Sequence, residues 1–175
     1  MAQKYTIIQD TSEKTPLIFP SHIVLSVGSE PPEVLPKSQS VQLDVKVAHL
    51  PTGDYCLEGL SKTCLIERKG SLSEITSNLM SSKKERTRVL SQFDRLAAET
   101  DYPILLLEGS PTSLKTPNFR APDPELAFDN LIRELALRRI QWMLCPGYSR
   151  SIRAATGSIV ARQLIHALSA AQKSF

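Results

Sequence analysis

Asp54, Glu67 and Lys69 are the residues whose types and spacing best suit chemistry. Two carboxylates offer hard oxygen ligands to Mg²⁺ or Mn²⁺ and leave coordination positions open for water and phosphate. Such an ion polarises a phosphodiester and lowers the pKa of a bound water, while a lysine can position that water and offset negative charge in the transition state. The alternative is an ordinary surface Glu–Lys pair near an aspartate in a turn, because two acids and a lysine often lie close together.

The segment between the two acids predicts a β-hairpin that brings them together. Apolar stretches at 55–57 and 63–67 flank polar residues at 58–62, and a Pro-Thr-Gly turn comes just before Asp54. The return strand would carry Glu67 back beside Asp54. Because side chains alternate along a strand, Glu67 and Lys69 would share one face and Arg68 would lie on the other.

The rest of the chain alternates predicted strands and helices. Strand patterns cover 5–9, 23–27, 41–47, 103–107 and 140–145, with proline-rich loops around 31–36 and 111–122. Helices are predicted after Gly70 with Ser71 or Ser73 as the cap, over 83–99, from Asp123 and from Ser149. We expect an α/β fold with a central mixed β-sheet flanked by helices, in one domain spanning residues 1–175. Side chains expected in the core include Phe128, Trp142, Ile152, Ile159, Val160, Leu164 and Leu168.

The composition argues against several classes of protein. No apolar run is long enough to span a membrane, and the first eight residues do not have the pattern of a secretory signal. Three scattered cysteines predict neither a disulfide framework nor a structural zinc site, and the three histidines lack metal-ligand spacing. We therefore expect a protein of a reducing compartment, the cytoplasm, or the nucleus if the source is eukaryotic.

Basic residues are clustered, although the net charge is only +3. Lys83, Lys84, Arg86 and Arg88 fall within six positions just after the candidate metal motif, and we expect them to contact the DNA backbone. The alternative is a solvated helix face, which is the usual explanation of such a charge cluster.

Several motifs together resemble one known family. Leu-Pro-Thr-Gly-Asp-Tyr at 50–55 and Ile-Glu-Arg-Lys at 66–69 are the most specific, and Ile-Ile-Gln-Asp-Thr-Ser-Glu-Lys at 7–14 precedes them. Phe-Asp-Arg-Leu at 93–96 and Leu-Leu-Leu-Glu-Gly at 105–109 follow. This order is similar to the XPF (xeroderma pigmentosum group F) family of structure-specific DNA nucleases. The resemblance covers nearly the whole chain and implies a restriction-endonuclease-like fold.

The resemblance also implies roles for individual residues. Three acids would bind the metal: Asp10, Asp54 and Glu67. Lys69 would be the catalytic lysine, and Glu13 and Arg68 would belong to the same site, with Arg68 acting as a scaffold or a phosphate contact. The chain departs from the family at two places. Ser12 stands where the family has arginine, and the aspartate of Glu-Arg-Lys-x-x-x-Asp is replaced by Ser73, with Glu74 next to it.

These observations lead to a functional expectation with two rivals. We expect a metal-dependent endonuclease that cuts branched, flapped or forked DNA, using Mg²⁺ or Mn²⁺ and working as a homodimer. We expect no helix-hairpin-helix module after residue 175, so a partner protein would supply additional DNA binding. One rival is a DNA-binding or scaffolding subunit that has the nuclease fold but little activity. The other is a nuclease of the single-domain restriction or resolvase type, which would differ in its substrate and not in its chemistry.

Overall fold

A computed structural model describes residues 3–27, 37–110, 112, 123–147 and 149–173. The two proline-rich loops predicted from sequence lie almost entirely outside these ranges. Seven strands form one sheet: β1 Gln3–Gln9, β2 His22–Val27, β3 Lys37–Val47, β4 Tyr55–Leu57, β5 Cys64–Lys69, β6 Tyr102–Glu108 and β7 Gln141–Cys145. Four helices accompany it: α1 Leu72–Met80, α2 Lys83–Glu99, α3 Pro124–Leu137 and α4 Arg150–Lys173.

The sheet is mixed, with the strand order β2-β3-β1-β4-β5-β6-β7. β1 pairs in parallel with β3, and β5, β6 and β7 pair in parallel with one another. β4 is antiparallel to both β1 and β5, and β2 is antiparallel to β3. Five strands therefore end at the same edge of the sheet, where ligands commonly bind in open α/β sheets. The predicted α/β class and mixed sheet are confirmed.

Each face of the sheet packs against its own helices. On one face α4 buries Val160, Leu164 and Ile165 against the sheet residues Ile7 and Ile66. On the other face, three helices cover Leu65, Leu105 and Leu107, and they contribute the buried residues Leu72, Ile75 and Leu79 of α1, Val89, Phe93 and Leu96 of α2, and Leu131 and Leu135 of α3. β6 lies between the two cores, which explains why its central residues are apolar without alternation.

Capping residues fix where the helices begin. The Ser71 side chain accepts a hydrogen bond from the Glu74 N–H, and the Asp123 side chain accepts one from the Leu126 N–H, with Pro124 in the first turn of α3. α2 spans Lys83–Glu99, the bounds that its apolar spacing predicts. These starting points were predictable because capping depends on residues three positions apart.

The first turns of α4 pack directly on the segment after β1. A Cβ atom on Gly157 would lie 2.3 Å from the Ile18 carbonyl oxygen, so a side chain there would force the two segments apart. Arg153 adds two hydrogen bonds. Its Nη1 donates to the Pro16 carbonyl at 2.9 Å, and the Arg153 carbonyl accepts from the Ile18 N–H at 3.3 Å. The loop that carries Glu13 is thereby attached to the body of the molecule.

Three expectations about elements and core were wrong. β3 begins at Lys37 rather than Val41, because polar residues at 38–40 pair with the edge strand β2 and need no buried face. Trp142 is 40% exposed, because it lies on the edge strand β7 with its ring edge-on to Phe128 at a centroid distance of 5.7 Å. Ile159 is 47% exposed on α4, although its neighbour Val160 is fully buried. No helix among the described residues is long and apolar enough to cross a membrane.

Candidate active site

The end of β1 and the β4–β5 hairpin bring the predicted acids together. Gly53, with a φ of +77°, turns the chain into the hairpin, and the Asp54 N–H then donates to the Ile66 carbonyl at 2.8 Å. The Asp10 N–H donates to the Asp54 carbonyl at 2.8 Å, which ties the end of β1 to the start of the hairpin. Few residues other than glycine adopt such a φ, so the Gly-Asp sequence is what this turn requires.

Glu67 and Lys69 lie on the same face of β5, as strand alternation predicts. The Lys69 Nζ is 2.5 Å from the Glu67 Oε1, and the two side chains are 25% and 19% exposed. Their neighbour Leu65 packs in the core beneath α1–α3, so both charged side chains emerge at the end of that core.

Asp54 is held beside these residues in a strongly perturbed state. Its Oδ2 accepts a hydrogen bond from the Arg68 N–H at 2.6 Å. Burial and, to a smaller extent, the negative charge of Glu67 together raise the pKa of Asp54 to about 7, against the lowering effect of that hydrogen bond. A carboxyl group that resists ionisation next to a second acid is the arrangement that a cation would relieve.

The donor set fits a hard divalent cation with few protein ligands. Asp54 and Glu67 provide adjacent carboxylates, and the Asp54 Oδ1 accepts no hydrogen bond from the described residues. Within those residues, no group of three His, Cys, Asp or Glu side chains is arranged to hold a metal ion. A Mg²⁺ or Mn²⁺ ion bound by Asp54 and Glu67 would therefore keep several positions for water and phosphate, as Mg²⁺ commonly does.

Asp10 lines the same cleft, but protein groups already occupy both of its carboxylate oxygens. Its Oδ1 accepts from the Leu50 N–H at 2.7 Å, and its Oδ2 accepts from the N–H of Ser12 at 2.9 Å and from the Ser12 hydroxyl. Burial would raise its pKa, yet these hydrogen bonds outweigh burial and lower the pKa to about 2. Asp10 is thus a permanent anion that shapes the turn before Asp54, and its predicted role as a metal ligand stays a prediction.

Arg68 lies on the opposite face of β5 in a buried ion cluster. Its guanidinium pairs with Glu13 and with Glu108, and it donates to the Thr15 carbonyl at 2.7 Å. Burial would lower the pKa of Arg68, but the hydrogen bonds to the two glutamates outweigh it and raise the pKa. Only 9% of Arg68 is exposed, and these ion pairs suit the scaffold role. Arg68 also lines a separate open cavity of about 270 Å³ together with Glu13, so the phosphate contact stays a prediction as well.

Tyr55 and Glu13 complete this cluster. The Tyr55 hydroxyl donates to the Glu13 Oε2 at 2.9 Å and accepts from the Leu17 N–H at 3.0 Å. Glu13, predicted as a site residue by resemblance, therefore lies behind the sheet edge and supports Arg68 rather than facing the cleft. Sequence reasoning gave no role to Glu108, although a charged residue at the end of an apolar strand was the available signal.

An open cleft of about 280 Å³ lies in front of Asp54 and Glu67. α2 contributes Gln92 and Arg95 to its wall, and Arg88 lines an adjoining cavity that includes Lys69. These three residues are spaced i, i+4 and i+7, so they share one helix face. None of their side chains makes an ion pair or hydrogen bond with the described residues. Gln92 and Arg95 were not among the predicted DNA contacts.

The predicted basic cluster is divided by the structure. Arg86 pairs with Glu134 of α3 at 3.2 Å, so part of its charge is neutralised. Lys83 and Lys84 are exposed in the first turn of α2 and line neither cavity beside Lys69. Of the four predicted residues, Arg88 is the one that lines the same cavity as Lys69.

The two departures from the family pattern have distinct positions. Ser12 supplies two of the hydrogen bonds that hold Asp10, so it has a local structural role at the cleft. Ser73 and Glu74 lie in the first turn of α1, where the Glu74 side chain is exposed and its N–H donates to the Ser71 hydroxyl at 3.1 Å.

Comparison with solved structures identifies the fold. XPF from Aeropyrum pernix superposes with a TM-score of 0.52 and 18% identity, over 92% of this chain and 67% of that one. The same protein in complex with DNA gives a TM-score of 0.53 and 18% identity, over 91% of this chain and 66% of that one. No protein-family model and no curated protein sequence matches this chain. The chain therefore has the XPF-type, nuclease-like fold and spans about two thirds of the length of those chains.

Proposed function

We propose that this chain is a metal-dependent endonuclease that hydrolyses DNA phosphodiester bonds at branched, flapped or forked structures. The observation that carries the proposal is that Asp54 and Glu67 meet in an open cleft while Lys69, which lines the adjoining cavity, is paired with Glu67. The XPF-type fold supports the same chemistry, and one of its solved relatives is a complex with DNA.

The side chains divide the catalytic work. Asp54 and Glu67 hold Mg²⁺ or Mn²⁺, which when bound polarises the phosphate and lowers the pKa of water. Lys69 has an ammonium group 2.5 Å from Glu67, within reach of a water or a phosphate oxygen in the cleft. It orients the attacking water and offsets the charge that develops on the phosphate oxygens. The Arg68 N–H keeps Asp54 in place by its 2.6 Å hydrogen bond.

The exposed face of α2 provides the contacts for the DNA backbone. Arg88 and Arg95 have no competing carboxylate among the described residues, and they flank Gln92 at the edge of the cleft. Guanidinium groups bind phosphate oxygens in a bidentate manner. These contacts position DNA without reading its sequence, which suits an enzyme that selects a DNA structure.

The test is a cleavage assay on labelled flap, fork and linear duplex DNA with Mg²⁺ or Mn²⁺. Wild type should cut flap or fork substrates, whereas Asp54→Asn and Glu67→Gln should be inactive because each loses a charge that the metal requires. Thermal unfolding should show that both variants remain folded. Full activity in excess chelator, or normal cutting by either variant, would sink the proposal.

One observation favours a second function, a DNA-binding subunit with little activity. Both oxygens of Asp10 are occupied by Leu50 and Ser12, which leaves fewer acids available for a metal. Such a subunit would bind branched DNA with the α2 face and would fail to cut in any metal. The same assay, run beside a binding measurement, separates the two functions.

A further inference from the structure

A small cavity of about 60 Å³ lies between α1 and α2, next to the catalytic lysine. Its wall includes Lys69, Ser71, Asn78, Arg88 and Gln92. Lys69 belongs to the proposed active site, and Gln92 also lines the main cleft, so the cavity directly adjoins the place where DNA would be cut. The proposed function gives no role to Asn78 or to the space between the two helices.

Asn78 is the unusual residue in this wall. Only 6% of its surface is exposed, yet its side-chain amide makes no hydrogen bond with the described residues. The amide is not among the buried polar atoms that lack a partner, so it reaches solvent where Asn78 lines the cavity. A ligand that enters the cavity can therefore replace this solvent at the amide without having to open the fold.

The charges of the wall identify the class of that partner. Lys69 and Arg88 are cationic, and the single carboxylate in the wall, Glu74, is exposed. The N-terminus of the nine-residue helix α1 begins at Ser71 and adds a partial positive charge. An asparagine N–H₂ group and a guanidinium are both donors to phosphate oxygens. A tetrahedral anion therefore fits better than a cation or an apolar group.

We infer that this cavity, the Asn78 pocket, binds a backbone phosphate next to the one that is cut. The inference rests on the proposed nuclease function for the identity of the ligand, and it adds a second phosphate site to the α2 face. With Lys69 between the two sites, a phosphate seated on Asn78 and Arg88 would hold the neighbouring phosphodiester in register with Asp54 and Glu67. Such positioning strengthens DNA binding and fixes the cleavage position.

Asn78→Asp tests the pocket, because it keeps the size of the side chain and adds a negative charge. Asn130→Asp is the matched control, since Asn130 lies half-buried on α3, does not line the cavity, and undergoes the same charge change. Binding of fork DNA in metal-free buffer should weaken about tenfold for Asn78→Asp and scarcely change for the control. Arg88→Gln provides a second variant at an exposed position, and it should weaken binding by a similar factor.

A chemically altered substrate then locates the phosphate. With wild type, one neutral methylphosphonate beside the cut should slow cleavage about tenfold at one of the two flanking positions, and Asn78→Asp should lose no further activity on that substrate. If Asn78→Asp and Asn130→Asp bind DNA alike, the pocket is overturned, while wild-type cleavage still supports the nuclease. If wild type never cuts but Asn78→Asp alone loses binding, the nuclease fails and the phosphate pocket stands.

Discussion

At the scale of single residues, neighbouring positions on β5 have opposite roles because a strand sends alternate side chains to opposite faces. Glu67 lines the open cleft and pairs with Lys69 beside it, whereas Arg68 is buried between Glu13 and Glu108. The backbone of Arg68 joins the two faces, since its N–H holds the Asp54 carboxylate. The geometry of the reactive acids therefore depends on a salt bridge behind the sheet.

Asp54 makes the stability of the metal-free protein depend on pH. Its pKa is about 7 in the folded protein and 3.8 when free, so the folded state binds its proton more tightly than the unfolded state. The stability from this group is complete below about pH 4, and it is lost as the pH rises to about 7. Asp54→Asn should therefore be more stable than wild type at about pH 8, on the order of a few kcal/mol, with a smaller gain at about pH 5.

Urea unfolding at the two pH values, in the presence of a chelator, measures this difference. Adding Mg²⁺ at the higher pH should raise the free energy of unfolding of wild type but leave Asp54→Asn unchanged, because the variant lacks the ionised ligand. A stability gain that is equal at both pH values would show that Asp54 ionises freely and that burial does not perturb it.

Lys69→Ala and Arg68→Ala should separate catalysis from scaffolding. Lys69→Ala should lower turnover about a hundredfold with little change in stability, and it should weaken DNA binding far less than it lowers turnover, because Lys69 acts mainly in the transition state. Lys69→Arg should not restore turnover, since the planar guanidinium cannot release a proton at working pH. Arg68→Ala should instead destabilise the protein by roughly 3–5 kcal/mol, because it leaves Glu13 and Glu108 buried without their partner.

The buried cluster can be checked with a double-mutant cycle on thermal and urea unfolding. Glu108→Gln should destabilise wild type, but it should cost less or even stabilise in the Arg68→Ala background, since it removes a charge that has no partner there. Additive effects would mean that the two side chains do not interact. If Arg68→Ala lost turnover at full stability while Lys69→Ala kept normal turnover, the register of β5 would be shifted by one residue, and Arg68 would face the cleft in place of Lys69.

At the scale of elements, the sequence predicted what depends on near neighbours. The hairpin, the face shared by Glu67 and Lys69, and the start of α3 follow from alternation and capping, which act over two to four residues. The contact of Arg68 with Glu108 joins residues 40 apart, and that of Arg86 with Glu134 joins residues 48 apart. No periodic pattern in a sequence indicates such distant pairs. The ion cluster around Arg68 and the pairing of Arg86 with Glu134 could therefore be seen only in the structure.

The division of the basic residues along α2 leads to a prediction about salt dependence. Replacing Arg88 and Arg95 with glutamine should weaken DNA binding for all sequences and reduce the salt slope by about 2, one for each phosphate contact. Replacing Lys83 and Lys84 with glutamine is the matched control, because it removes the same charge roughly 17 Å along the helix from Arg95. Fluorescence anisotropy over a salt series gives both slopes. Equal slopes for the two double variants would show that Lys83 and Lys84 contact DNA as much as Arg88 and Arg95 do.

At the scale of the whole molecule, the two faces of the sheet are unevenly covered. α4 alone packs on one face, and α1, α2 and α3 share the other, while the strands at each edge keep apolar side chains in solvent. The proposed catalytic cleft lies at the edge where five strands end, and its lining includes none of these exposed apolar side chains of the edge strands. We therefore expect that DNA and a second protein chain would use separate surfaces.

The homodimer expected from sequence is the prediction that belongs to this scale. The segment 129–168, in which we expect the interface, exposes Leu137 by 71%, Ile159 by 47% and Trp142 by 40%. Burying apolar side chains such as these under a partner stabilises the complex by about 25 cal/mol per Å² of apolar surface removed from water. We expect light scattering at tens of micromolar to give twice the chain mass of 19.4 kDa.

Leu137→Ser should shift that equilibrium toward the monomer without unfolding the chain, because the side chain is already largely exposed and contributes little to either core. Val24→Ser is the matched control, since Val24 is 59% exposed on the edge strand β2, outside the expected interface. The control should keep the wild-type mass, and both variants should melt at the wild-type temperature. A wild-type mass of 19.4 kDa at that concentration would refute the homodimer, and equal effects of the two variants would place the interface elsewhere. Because none of the described residues of this segment lines the cleft, the monomeric variant should still bind fork DNA, with an affinity lowered only by the loss of the second copy.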